Sequence, residues 1–264
     1  MLITGGLGFI GSHFVEELAA AGAEVICCYR TWHDAMVRAL PVADRVRLVH
    51  LDLCDGAETQ SAFKYTAPTI DTIVHCAALD GNAAFKAAHP AEILDANLRM
   101  TLNVLHSARD QGVEEVVLLS SAEAYAQPDH PGAEREDPPL LTWSQNGYVL
   151  SKLVGEVVAD LFRRQYEMNV FIARTTNVYG PRDNLHRGTN RVIPTMLDRV
   201  RSGQEIEIWG DGSQRRTFLY VTDLVRATLQ MIESRKYPTF NVGSGEPVSI
   251  LDLARTVRVI HEPR

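Results

Sequence analysis

The chain has 264 residues, 45% of them hydrophobic, with 33 acidic against 26 basic side chains and a formal charge of -7. That length allows one large core, or one core with a smaller lobe, and the acidic balance without a basic stripe argues against a nucleic-acid partner. No apolar run approaches the roughly 18 residues of a membrane span, and glycines stand where a signal peptide would keep its apolar segment, so a cytoplasmic protein with no membrane partner is expected.

Short β-branched runs alternate with longer amphipathic stretches. "MLIT" reads as a strand, a helix is expected around 10–21, and "EVICCY", "VRLVHLD" and "DTIVHCAA" follow as strands. A helix around 91–111 leads into "EEVVLLSS", and a helical pattern over 147–166 feeds "NVFIART". Continuously apolar strands separated by helices predict a parallel sheet covered on both faces, a doubly wound α/β (Rossmann) domain over 1–176. The stretch 213–242 is expected to complete it. "NVYGPRDNLHRGTNRVIP" has the Gly, Pro, Asn and Arg of a loop that meets a polar ligand, so 177–212 and 243–264 are read as a small C-terminal substrate-binding lobe. "AQPDHPGAEREDPPLLTWSQNG" reads as a surface loop beside the site. Cys27, Cys28, Cys54 and Cys76 lie on or beside apolar runs without paired spacing, so buried thiols in a reducing compartment are expected, and no metal.

Gly5, Gly6, Gly8 and Gly11 form "GGLGFIG" between the first strand and the first helix. Glycine permits the tight turn and lets main-chain amides approach a pyrophosphate, to which the helix N-terminus adds a favourable dipole. A dinucleotide is the expected cofactor. The acidic residue that usually binds the free ribose hydroxyl after the second strand is absent; Tyr29 and Arg30 stand there. An arginine suits a 2′-phosphate, which favours NADP over NAD. Asp52, at the end of the third strand, is a candidate for the adenine.

Tyr148 and Lys152, in "YVLSK", are four apart on a helix and share a face. An ammonium beside a phenol favours its ionisation, so Tyr148 is a candidate acid–base group.

The motifs "GGLGFIGS", "HCAA", "LLSSAEAY", "YVLSK", "RTTNVYGPR", "GDGSQRRTFLYVTDL" and "FNVGSGEPVSILDLA" together resemble the extended short-chain dehydrogenase/reductases that act on nucleotide sugars, over nearly the whole chain. The resemblance implies a catalytic set of Ser121, Tyr148 and Lys152, with Ser121 on the sugar 4-oxygen and Lys152 also holding the ribose. It implies an NAD(P) site of Gly5, Gly8, Phe9, Ile10, Gly11, Arg30, Asp52, Leu53, Ala77 and Lys152, and reads Asn97 as a buried structural asparagine. Asn177, Arg182, Val192 and Arg216 would join Ser121 in meeting a nucleotide-diphosphate sugar. Similar proteins pair the helices near 91–111 and 147–166 across a two-fold axis, so a homodimer is expected. Members of that family usually continue past the position of Arg264 and often supply a further diphosphate-binding arginine from that tail.

In relatives that eliminate water from the sugar, a glutamate stands two residues before the motif tyrosine, here Tyr125, and Glu123 takes that place. The resemblance therefore favours a nucleotide-sugar dehydratase acting through a 4-keto intermediate, with Glu123 as acid/base at C5. Ala122 stands where some dehydratases carry an aspartic acid. A 4-epimerase is the runner-up, a nucleotide-uronate decarboxylase or 4-ketoreductase stands behind it, and a non-catalytic dinucleotide-binding protein is the reading from another class.

Overall fold

The computed structural model describes residues 1–66, 70–125, 146–183 and 191–261. Residues 126–145 of the surface loop expected over 126–147 and the middle of the ligand-meeting loop, 184–190, lie outside them.

The first half winds through β1 (Leu2–Thr4), α1 (Phe9–Ala20), β2 (Ile26–Tyr29), α2 (Asp34–Ala39), β3 (Arg47–His50), α3 (Gly56–Thr66), β4 (Thr72–His75), α4 (Ala83–Ala88), α5 (Pro90–Asp110) and β5 (Glu115–Ser121). The second half continues with α6 (Gly147–Tyr166), β6 (Asn169–Thr175), β7 (Asn177–Tyr179), α7 (Val192–Arg201), β8 (Arg215–Tyr220), α8 (Val221–Ser234), β9 (Thr239–Val242), β10 (Pro247–Ser249) and α9 (Ile250–His261). Seven strands form one parallel sheet in the order β3-β2-β1-β4-β5-β6-β9. The order reverses between β1 and β4, and the crevice at the carboxyl ends of these strands is where such sheets bind ligands.

The sheet is covered on both faces because its strands are apolar on both. Along β5, Val117 and Leu119 join Phe14, Leu18 and Leu224 in the core under α1 and α8. Val116 and Leu118 join Phe63, Val104, Leu105 and Phe162 under α3, α5 and α6. This is the two-sided burial that parallel strands require.

A smaller sheet has the order β10-β8-β7. Met196 of α7 packs with Ile250, Ala254 and Val257 of α9 in a separate apolar cluster. Within 213–242, β9 returns to the main sheet, whereas β8 pairs with β7 and β10 in the smaller one.

Two junctions fix the catalytic end of the fold. Asn97 of α5 accepts a hydrogen bond from the Leu79 N–H (2.6 Å) and donates to the Leu79 carbonyl (3.0 Å) and to Ser151 Oγ of α6 (3.1 Å). At the start of α6, a side chain in place of Gly147 would run into the Pro90 carbonyl, so the two helices begin in contact there. No helix among the described residues is long and apolar enough to cross a membrane.

Candidate active site

The β1–α1 turn is a cradle that side chains would fill. Gly5 has φ +62°, and a Cβ there would sit 2.9 Å from the Ala77 backbone; one on Gly11 would collide with the Gly5 carbonyl. The Gly8 N–H closes the turn on the Gly5 carbonyl at 2.8 Å, and Gly8 caps α1 without a side-chain hydrogen bond. The first amides of α1 are thus left for an anion, as a pyrophosphate site requires.

Gly5, Gly8, Phe9, Ile10, Gly11, Arg30, Asp52, Leu53, Ala77 and Lys152 all line one cleft of about 390 Å³, together with Tyr148. The residues present fit a dinucleotide. Asp52 Oδ1 accepts from the Cys54 N–H at 2.9 Å, and the Leu53 carbonyl accepts from Asn103 at 2.8 Å, fixing the loop after β3. Arg30 is exposed and makes no ion pair among the described residues. Cys27 and Cys28 are buried free thiols, which burial pushes up to about 12.

Asn146 opens α6 by accepting hydrogen bonds from the N–H groups of Tyr148 (3.0 Å) and Val149 (3.4 Å). This cap sets Tyr148 in the first turn, with Lys152 one turn later on the same face. Lys152 Nζ lies 5.5 Å from the Tyr148 ring centroid and donates to the Leu119 carbonyl at 2.7 Å. Burial brings the Lys152 ammonium down to about 8, with Asp80 opposing. Burial also pushes the Tyr148 phenol well above its ordinary value; Asp80 and Glu123 add to this and Arg191 opposes it.

Ser121 is buried at the end of β5, and its Oγ accepts from the Glu123 N–H at 3.1 Å, capping the turn 122–124. Its neighbour Ser120 reaches the cleft lining, but the Ser120 hydroxyl donates to Glu156 at 2.5 Å. Glu123 is exposed and is not part of the cleft lining.

The residues expected to hold the sugar nucleotide are less gathered. Asn177 donates to the Thr217 carbonyl at 3.0 Å, and Arg216 is exposed, donating to the Arg215 carbonyl at 2.8 Å. Val192 packs on the α7–α9 cluster. Arg182 requires correction: its guanidinium bonds Glu16 (2.6 Å), His13 Nδ1 (2.8 Å) and the Ala39 carbonyl (3.0 Å), with the side chain 7% exposed. It ties the segment after β7 to α1 and the end of α2 instead of facing the cleft, because Glu16 and His13 of α1 and the Ala39 carbonyl take its donors.

The structure adds residues that the sequence reading passed over. Asp80, Asp183 and Arg191 line the cleft, with Arg191 bridging Asp80 (3.7 Å) and Asp183 (3.5 Å). Lys86 lies 3.0 Å from Asp80 and 4.1 Å from the Tyr148 ring centroid. The available signal was positional: Asp80 follows β4, and strand carboxyl ends line the ligand crevice of such sheets.

A glycine cradle at the strand-order reversal, opening onto a half-buried tyrosine–lysine pair, defines a dinucleotide-dependent enzyme. The model of the NAD dependent epimerase/dehydratase family matches residues 1–243, and the chain belongs to that family. It is 52% identical over 262 residues to the dTDP-4-dehydro-6-deoxy-D-allose reductase of Streptomyces bikiniensis, covering 98% of this chain and 80% of that protein. It is 31% identical to a putative UDP-glucose 4-epimerase of Methanocaldococcus jannaschii, covering 96% of this chain and 79% of that one. Among solved structures, UDP-glucose 4-epimerase of Thermotoga maritima with UDP-glucose superposes with TM-score 0.87 at 26% identity, covering 100% of this chain and 83% of that one. A double mutant of dTDP-glucose 4,6-dehydratase from Streptomyces venezuelae with NAD bound superposes with TM-score 0.85 at 27% identity, covering 97% and 79%.

Proposed function

We propose that the protein is a nucleotide-sugar 4-ketoreductase that converts the 4-keto group of a dTDP-linked 6-deoxyhexose to an alcohol, with NADPH as reductant. The observation that carries this reading is the 52% identity, over 98% of the chain, to a reductase of that class. The same identity sets it ahead of the dehydratase reading favoured by the Glu123 motif.

When bound, the reduced nicotinamide supplies a hydride to the C4 carbonyl carbon. Tyr148 gives its phenolic proton to the carbonyl oxygen, so that C=O becomes CH–OH. A phenol kept protonated by burial is the form this step needs. Lys152, an ammonium held to about 8, stabilises the resulting phenolate and can return a proton to it. Ser121, at the adjoining strand end, supports the sugar oxygen. Arg30 meets the 2′-phosphate that distinguishes NADPH from NADH. Asn177, Val192 and Arg216 remain the proposed contacts of the nucleotide diphosphate.

A homodimer fits the outer face of α6, where Val154, Val157 and Leu161 are 38%, 56% and 49% exposed in one stripe.

The deciding assay mixes the protein with NADPH and a dTDP-4-keto-6-deoxyhexose and follows nicotinamide absorbance and product mass. The reading requires stoichiometric loss of NADPH and a gain of two hydrogens by the sugar. Loss of water from dTDP-glucose without net NADPH consumption would restore the dehydratase. Interconversion of C4 epimers at unchanged mass would install the epimerase.

A further inference from the structure

Tyr148 carries a second cation besides Lys152. Lys86 Nζ stands 4.1 Å from the ring centroid, closer than the 5.5 Å of Lys152, and the Lys86 side chain is only 18% exposed. It comes from α4, which Asn82 caps by accepting from the Phe85 N–H at 2.8 Å. Six residues earlier, Asp80 meets Lys86 at 3.0 Å. Its Oδ1 is shielded from solvent and has no aligned hydrogen bond among the described residues. Arg191 approaches Asp80 from the other side at 3.7 Å.

We infer that the Asp80–Lys86 pair is a positioning device for Tyr148: the ammonium holds the ring, and the carboxylate keeps the phenol in its proton-giving form. An ammonium on a ring face is attractive, and more so where water is excluded. Alone it would also favour the phenolate, which suits withdrawal of a proton from an alcohol. A carboxylate beside it reverses that preference. The charges facing Tyr148 are Lys86 from α4, Asp80 from the loop after β4, Lys152 from its own helix, Glu123 from the turn after β5, and Arg191 at the start of α7. Lys86 and Lys152 flank the ring, so without Asp80 the balance moves toward the phenolate, against the burial that is the larger brake on ionisation. The inference that this tuning serves a reduction rests on the ketoreductase reading; the tuning itself does not.

The test needs neither sugar nor nicotinamide. In the full-length chain, Tyr148 is replaced by a trifluorotyrosine whose phenol ionises near neutrality, and its ionisation is followed by fluorine NMR. The same probe is placed in Asp80→Asn, Asp80→Glu and Lys86→Met backgrounds, with circular dichroism to check folding. Asp80→Asn should move the midpoint to lower pH by about one unit, Lys86→Met to higher pH, and Asp80→Glu should return it close to the parent. Equal midpoints in all backgrounds, or shifts of one sign for both charge removals, would overturn the device. A failed ketoreductase assay beside opposite shifts would overturn the function and leave the device standing.

Discussion

Arg174 and Glu156 form an ion pair of 2.7 Å with both side chains only 6% exposed, one turn of α6 beyond Lys152. Ser120 donates to Glu156, Arg174 donates to Tyr125 Oη at 2.7 Å, and Tyr125 donates to Asn241 at 2.6 Å. One chain of hydrogen bonds, charge-assisted at Glu156 and Arg174, thus joins β5, α6, β6, β9 and the turn that carries Glu123. Removing one member strands a buried charge, so Arg174→Met should cost about 3–5 kcal/mol of stability by urea unfolding. Adding Glu156→Leu to it should recover a large part of the loss.

Tyr148→Phe keeps the ring under Lys86 and Lys152 but removes the transferable proton. Turnover should fall by about 10²–10⁴-fold with cofactor affinity retained. Steady-state kinetics and calorimetric titration of the cofactor check the two halves.

Arg30→Ala should weaken NADPH by about 1–3 kcal/mol, the range for a charge-assisted contact, and leave NADH nearly unchanged. Equal losses for both cofactors, measured by calorimetry, would remove the 2′-phosphate assignment.

Glu123→Gln separates ketone reduction from elimination. A ketoreductase should keep its turnover within a few-fold, since no proton leaves C5. If Glu123 is instead the C5 base, exchange of the C5 hydrogen with deuterated water will vanish in this variant.

His75 is buried at the end of β4, with Nδ1 2.8 Å from Thr4 Oγ1, and burial lowers it from 6.5 to about 3, with Lys152 pushing the same way. The unfolded chain therefore takes a proton that the native state refuses. The contribution is fully present above pH 6.5 and is lost as pH falls toward 3, with a slope of up to about 1.4 kcal/mol per pH unit. Urea unfolding at pH 7 and pH 4.5 should show this dependence, and His75→Asn should flatten it.

The parallel sheet and the cofactor cleft were legible in the sequence because their signals are local. "GGLGFIG" is one turn, "YVLSK" is one helix face, and the run "VVLL" of β5 declares a buried strand without its neighbours. Asp80, Lys86 and Arg191 were not legible. Their meaning depends on meeting Tyr148 across more than one element, and a charge after a strand reads like any solvated residue until the crossover brings α6 beside it. Arg182 misled for the converse reason: sequence displays a guanidinium in a ligand-type loop, while only the folded chain brings His13 and Glu16 of α1 to it. The choice between reduction and elimination was illegible as well, since Glu123 has the same letter whether it faces the sugar or the solvent.

The contact between Gly147 and the Pro90 carbonyl makes α6 a lever with its fulcrum at one end. Tyr148 sits one residue from that fulcrum, while Tyr166 lies about 28 Å along the rod at 1.5 Å per residue. A tilt that swings the distal end by a whole ångström moves the phenol by only a small fraction of that. Any side chain introduced at Gly147 would move the fulcrum itself, and the phenol with it.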